Sequence, residues 1–512
     1  MTVRQLMGAS STQDNNNWKS INWKKAESEV KQLQMRIAKA VEEERFGKIK
    51  ALQWMLTHSY YAKLLAVRRI TTNRGAKTAG TDGVLWTTSK QKIEAVHSLK
   101  RHAYKSQPLR RIYIPKKNGK LRPLGIPTMK DRAVQALYLL AMEPIAELTA
   151  DKNSYGFRPF RSCADAIEQC FIALAKKSSA KWVLEADIKA CFDKISHPWL
   201  MENIPMDKKV LKQWITAGFI YKNQWSPTEE GAPQGGPASA TLANQALDGL
   251  EHLIKKIAKQ PDKANFIRYA DDFIITGASK EFLENKVKPE IKTFLAKRGL
   301  HLSDEKTHIT HIDDGFNFLG FNIRKYKGKL LIKPSKEKVK MFLTNIRETI
   351  KQQNSAATIN LLRILNPKIR GWGNYYSHAV SKDIFNYVDN EIFASIWQWC
   401  KRRHSDKGHH WIKNKYFGTR DNQNWVLAAT YKNGQQKRLE MSLIKTAHIP
   451  IVRHVKIKAE ATPYSSKYQD YFKELQKKKK KTILVKASVA NTYCNTKTPQ
   501  QQLGSQKNFI KA

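Results

Sequence analysis

Residues 266–276 read Phe-Ile-Arg-Tyr-Ala-Asp-Asp-Phe-Ile-Ile-Thr. Two short runs of aromatic and β-branched residues flank a polar corner, the pattern of an antiparallel hairpin whose strands are buried and whose tip is not. The flanks fix the corner, so Asp271 and Asp272 are brought together at one edge of a sheet. Adjacent acids in a turn are most often a solvated loop. A third carboxylate changes that reading, because Asp187 closes another apolar strand, Trp-Val-Leu-Glu-Ala-Asp at 182–187. Carboxylate oxygens are the hard ligands that magnesium takes. Two such ions about 4 Å apart, bridged by carboxylates, activate a hydroxyl nucleophile and stabilise a leaving phosphate oxygen. That chemistry needs aspartates from two neighbouring strands.

Net charge narrows the partner. The 512 residues carry 91 Lys and Arg against 44 Asp and Glu, a formal charge of +47. A compact body so charged repels itself unless a polyanion is near, which leaves nucleic acid or an anionic membrane surface. No apolar run of eighteen or more residues is present, and the first residues lack the basic-then-apolar order of a signal peptide. The charge is spread along the whole chain, which favours nucleic acid, with no membrane partner expected. Five cysteines, an odd number with no C-x-x-C pair, argue against a disulfide framework or a zinc ribbon and agree with a reducing, cytoplasmic interior.

Hydrophobic periodicity predicts a helical N-terminal extension over 1–80, with Val30, Leu33, Ile37 and Val41 on one stripe. Turn residues at 73–75 and 80–83 end it. A mixed region follows over 81–334, with a strand at 111–115, a basic hairpin tip at 116–120 and a return strand. Within it a helix opens near Ser162, and another runs from Lys280 to Arg298, stopping at Gly299. After Pro334 the chain is expected to be helical again, with Ser381 as an N-cap and Pro367–Tyr376 as a breaker between helices. A basic tail from 456 contains Lys477 to Lys481. The expected class is α+β.

Successive blocks then resemble a known family. Tyr-Ala-Asp-Asp at 269–272 looks like the YADD box of reverse transcriptases. IPKKNGKLRPLGIPTMKDR (114–132), SYGFRPFRS (154–162), LEADIKACFDKISH (184–197), APQGG (232–236), RGLHLSDEKT (298–307) and GFNFLGFNI (315–323) resemble, in order and spacing, the blocks of group II intron-encoded reverse transcriptase/maturases, of the chloroplast-like bacterial lineage. The resemblance implies a right-hand polymerase: fingers and palm with an antiparallel sheet over 81–334, an α-helical thumb and maturase domain over 335–455, and a tail over 456–512 as a possible DNA-binding remnant. It implies an RNA-directed DNA polymerase that binds group II intron RNA and promotes its splicing and mobility. Its partners would be intron RNA, an RNA template, a DNA primer or target, and dNTPs, in a bacterial cytoplasm and at the nucleoid when on DNA.

The resemblance also assigns roles at matching positions. Asp187, Asp271 and Asp272 would hold two magnesium ions, with Ile188 lending a backbone carbonyl. Lys116 and Arg122 would reach the incoming triphosphate through charge-assisted bonds. Gln234 would sit near the nucleotide, and Phe192 would stand where a 2′-hydroxyl must go. Lys306 would give a proton to pyrophosphate, and Arg158 would line the template path. Read without the family, Lys116 and Arg122 are solvated hairpin charges, Phe192 is core, Gln234 is loop and Lys306 is structural. In the maturase region, aromatics interleave with cations, as suits stacking on RNA. Arg370, Tyr375, Lys401, Arg402 and Arg403 are the expected contacts, with Trp397 read as core.

Two departures from the family stand out. Many relatives end in an endonuclease domain built on paired C-x-x-C motifs, whereas this chain has a lone Cys494 after the lysine run. Cleavage of target DNA is therefore not expected, and another primer source is. After the APQGG block comes Pro-Ala-Ser-Ala-Thr (237–241) in place of the family's Val-Ile-Ser-Pro-like stretch, which bears on fidelity and not on metal chemistry. Two other readings remain at this level: a maturase acting mainly as an RNA-binding protein, and a domesticated reverse transcriptase in repair or phage defence.

Overall fold

Asn22 caps the first helix, its side chain accepting from the Lys25 amide at 3.0 Å, and the run Trp23–Glu42 follows. The computed structural model describes residues 17–102, 104–115, 119, 121–232, 235–420, 423–432, 436 and 438–478. The chain divides into two compact units. The first takes the residues up to Ser162, then Val183–Ile309 and Ile457–Asp470; the second takes Cys163–Trp182, Thr310–Lys456 and the residues from Tyr471.

In the first unit, helices Trp23–Glu42, Phe46–His58 and Tyr60–Thr71 pack on the helix Met129–Thr149. The stripe Val30, Ile37, Leu52, Leu56, Leu64 and Ile70 is buried. Met129–Thr149 is buried on nearly every side, its charged Asp131, Arg132 and Glu147 included, so these charges must find partners inside. A four-stranded sheet has the order Leu121–Ile126, Leu109–Pro115, Phe219–Tyr221, Gln224–Ser226. A second has the order Phe266–Tyr269, Asp272–Gly277, Trp182–Ala186, His308–His311, and it carries the aspartates.

The second unit has a three-stranded sheet, in the order Lys329–Pro334, Phe321–Tyr326, Phe316–Phe318. Helices Lys336–Gln352, Thr358–Tyr376, Lys382–Arg403 and His409–Tyr416 follow. Leu343, Ile346, Leu361, Leu365, Ile392, Ile396 and Trp399 share their core, and Trp397 packs partly buried against it.

Two local expectations are corrected and one is refined. Residues 367–376 do not break the helix, because Pro367 lies inside Thr358–Tyr376. Burial of Leu361, Leu365 and Ile369 outweighs the proline penalty of about 3 kcal/mol, and Gly373 lets Ile449 pack against the helix backbone. Ser381 does stand at the N-cap of Lys382–Arg403, as expected, but without a side-chain capping bond; its hydroxyl donates instead to the Tyr376 carbonyl at 2.8 Å. Strands Phe417–Arg420, Gln423–Lys432 and Arg438–Ser442 form a sheet where helix was expected throughout. The expected tail also contains an ordered piece. Residues 457–470 pack in the first unit, where the Tyr464 hydroxyl donates to Glu143 Oε2 at 2.7 Å and Arg161 donates to the Ala459 carbonyl at 3.0 Å. Lys479 onward, with Cys494, lies outside the described residues.

Candidate active site

Hairpin register sets the acidic corner. Tyr269 pairs with Asp272, Arg268 with Phe273 and Ile267 with Ile274, so only Ala270 and Asp271 form the turn. Ala270 takes φ +59°, a left-handed conformation that costs a residue with a Cβ about 1–2 kcal/mol and persists where its surroundings impose it. Asp272 is exposed and Asp271 half-buried.

Asp187 follows the neighbouring strand. The Ser303 amide donates to the Asp187 carbonyl at 2.8 Å, the Lys189 amide donates to the His301 carbonyl at 3.0 Å, and Ile188 bridges Leu302. This short antiparallel pairing carries Lys306 back to the site, where its ammonium is hydrogen-bonded to Asp187 Oδ2. The Lys306 side chain remains 67% exposed against 14% for Asp187.

Charge converges here. Burial pushes the Asp271 carboxyl up; its own backbone amide holds it down, the Asp187 charge raises it further, and Arg122 and Lys306 oppose. The hydrogen bond to Asp187 holds the Lys306 ammonium above its ordinary value, with Asp272 and Asp271 adding smaller effects. Asp271 therefore lies within electrostatic reach of Asp187, Arg122 and Lys306, and Lys306 within reach of all three aspartates.

The other expected nucleotide contacts divide. Arg122 is exposed in register with Ile114. Phe192 is half-buried in the short helix Cys191–Lys194, and its carbonyl accepts from the Ala232 amide at 2.7 Å. Lys116 and Gln234 lie outside the described residues. Beyond Gln234, Gly235 has φ +111°, and a Cβ there would stand 2.6 Å from the Gly125 carbonyl oxygen, so the loop presses on the strand that bears Arg122.

Arg158, expected to line the template path, is turned into the protein interior. It is buried, donates to Glu147 Oε1 at 2.8 Å and Oε2 at 3.1 Å, and donates to the carbonyls of Asp151 and Ser154, each at 2.8 Å. A charge left inside must be paired, and Glu147 pairs it. In the second unit, Arg402 is exposed while Arg370 and Lys401 are half-buried. Tyr375 is exposed, with its hydroxyl donating to the Leu319 carbonyl at 2.8 Å. Arg403 is engaged internally, donating to the Ala356 carbonyl with its guanidinium 4.6 Å over the Trp399 ring.

Sequence reasoning passed over Asn244, Asp248 and Arg268. Arg268 is fully buried and ion-paired with Asp248. An arginine inside an apolar strand was the available signal, since such a charge needs a partner; Asn244 and Asp248 carry none.

Among the described residues no group of three or more His, Cys, Asp or Glu is close enough to hold a metal ion. The donor chemistry at the corner nonetheless fits a hard divalent cation. Carboxylate oxygens come from two adjacent strands, the hard donors that such a cation takes, and after burial, the largest cause, the Asp187 charge also raises the Asp271 carboxyl.

Such a corner, with Arg122 of a separate hairpin acting on it electrostatically, suits a template-directed polymerase of the right-hand class. Comparison with known families agrees. Residues 18–99 match the N-terminal domain of reverse transcriptase. Residues 114–323 match reverse transcriptase (RNA-dependent DNA polymerase), and residues 339–417 match the group II intron maturase-specific domain. The chain is 29% identical over 474 residues to the group II intron-encoded protein LtrA of Lactococcus lactis subsp. cremoris, covering 73% of this chain and 78% of that protein. It is 32% identical over 300 residues to protein YkfC of Escherichia coli (strain K12), covering 50% of this chain and 79% of that one. A solved telomerase from Candida albicans, in complex with a fragment of telomeric RNA, is similar at TM-score 0.35 and 13% identity, over 60% of this chain and 64% of that one; that likeness bears on neither mechanism nor partner. The chain belongs to the group II intron-encoded reverse transcriptase/maturases and is an RNA-directed DNA polymerase.

Proposed function

We propose that Asp187, Asp271 and Asp272 form the catalytic centre for adding dNTPs to a primer 3′-hydroxyl on an RNA template. The convergence of Asp187, Lys306 and the Asp271–Asp272 corner carries this reading. The three carboxylates, with the Ile188 carbonyl, would hold two magnesium ions, which supply Lewis-acid activation of the hydroxyl and charge neutralisation at the leaving oxygen. Arg122 and Lys116 neutralise the triphosphate from the fingers. Lys306, already protonated and hydrogen-bonded in the site, delivers a proton to departing pyrophosphate. Phe192 crowds the sugar and excludes ribonucleotides, and Gln234 sits at the nucleotide.

The second unit binds group II intron RNA through Arg370, Tyr375, Lys401 and Arg402, and the protein promotes splicing and mobility of that intron. The maturase-specific match and the formal charge of +47 support this. The protein works in the bacterial cytoplasm and at the nucleoid when on target DNA. Among the described residues no helix is long and apolar enough to cross a membrane. The test is Asp187→Asn, assayed for RNA-templated primer extension and for stimulation of intron splicing. Extension is expected to be lost while splicing is retained; undiminished extension would reject the catalytic assignment, and a parent protein that never stimulates splicing would reject the maturase role.

A further inference from the structure

The left-handed Ala270 at the acidic corner needs something to impose it. Part of the restraint is local. The segment 153–156 runs beside the first hairpin strand, with the Arg268 amide donating to the Asn153 carbonyl at 3.0 Å and the Tyr155 amide donating to the Arg268 carbonyl at 2.9 Å. Gly156 then lies flush under the turn, where a Cβ would stand 3.1 Å from Ala270 Cα and nearer still to its nitrogen. A side chain at 156 would push the corner outward.

The rest comes from behind. The Arg268 guanidinium, fully buried, folds back beneath its own strand. One arm donates to the Ala270 carbonyl at 3.4 Å and to Asn244 Oδ1 at 3.2 Å; the other is ion-paired with Asp248. The Asn244 amide in turn donates to the Gly156 carbonyl at 2.8 Å. A set of polar contacts thus joins the turn carbonyl, the glycine beneath it and the helix Ser239–Leu247. None of these three side chains is among the groups proposed to meet metal or nucleotide.

We infer that Asn244 and Arg268 are positioning residues that hold the Asp271–Asp272 corner in its reactive placement. The inference rests on the catalytic reading of that corner. Asn244 acts on both sides of the turn, because one amide group accepts from the arginine and donates to the Gly156 carbonyl. Arg268 supplies the contact to the turn itself, and Asp248 keeps its charge paired. Hydrogen bonds in the low-dielectric interior are strengthened, and both terminal nitrogens of the Arg268 fork are engaged, while its Nε has no partner; small misplacements of reacting groups cost large factors in rate.

The experiment compares Asn244→Ala, Arg268→Lys and Asp271→Ala with the parent full-length protein. It reads three quantities: kcat and dNTP KM for primer extension, primer–template affinity, and hydrogen exchange of the amides at 270–272. Asn244→Ala is expected to lower kcat roughly tenfold or more, leave KM and primer–template affinity within about twofold, and speed exchange at 270–272 while other hairpin amides keep their protection. Arg268→Lys keeps the charge beside Asp248 but loses the fork, and is expected to do the same; it serves if the first variant does not fold. Unchanged kcat and exchange in a folded variant would overturn the inference, as would loss of protection across the whole sheet with affinity falling in parallel. If Asp271→Ala itself extends primers normally, the catalytic reading has failed, whereas the exchange measurement still reports on the clamp.

Discussion

The ammonium of Lys306 is hydrogen-bonded to the carboxylate of Asp187, a residue 119 positions earlier in the chain. The pairing is made possible by the short ladder between 187–189 and 301–303. It brings a proton donor into the same field as the three aspartates.

Lys306→Met tests the consequence. The side chain is largely exposed, and an exposed pair contributes at most about 1 kcal/mol to stability, so the fold is expected to be unaffected. Single-turnover extension is expected to slow by about 10²-fold or more, the scale of general acid catalysis, with primer–template affinity retained. An unchanged rate would return Lys306 to a structural role.

Phe192→Ala is expected to relax sugar selectivity. Phe192 is half-buried in the short helix Cys191–Lys194, and its backbone carbonyl accepts from the Ala232 amide. Discrimination by a steric pocket is worth about 10- to 200-fold, so ribonucleotide incorporation relative to dNTP is expected to rise by roughly that factor. Selectivity equal to the parent's would show that the ring only packs.

Arg158→Ala is expected to act on stability and not on template affinity. Removing it strands Glu147 inside the protein, although Arg161 also reaches Glu147 Oε2 at 3.2 Å. Breaking a buried pair costs about 3–5 kcal/mol, and the second arginine puts the effect toward the lower end. Thermal unfolding measures it. A variant with parental stability and selectively weakened template binding would contradict the buried placement.

These outcomes mark what the sequence made legible. The acidic hairpin was legible because its strands and corner are contiguous, and the helical stripe through Val30 and Ile37 because periodicity is local. Arg158 was not: it lies outside any helix or strand, its partner Glu147 lies on the helix Met129–Thr149, and nothing nearby in sequence announces burial. Pro367 misled for the same reason, since the packing of Leu365 and Ile369 that overrides it is tertiary. The clamp of Asn244 and Asp248 on Arg268 likewise joins a helix and its C-cap to a strand further along the chain, and only the buried arginine leaves a trace in the sequence.

Affinity for RNA is expected to fall by roughly 10³-fold or more between about 50 and 200 mM salt, as for a surface that neutralises six or more phosphates. The formal charge of +47 motivates this. A titration that is flat across that range would place recognition in uncharged contacts.

The most direct test of the catalytic corner is RNA-templated primer extension by the Asp271→Ala, Asp272→Ala double variant in magnesium, with RNA affinity measured on the same preparation. The account predicts that extension disappears while RNA binding stays within about twofold of the parent, since phosphate contacts elsewhere dominate affinity. Extension at the parental rate would contradict it.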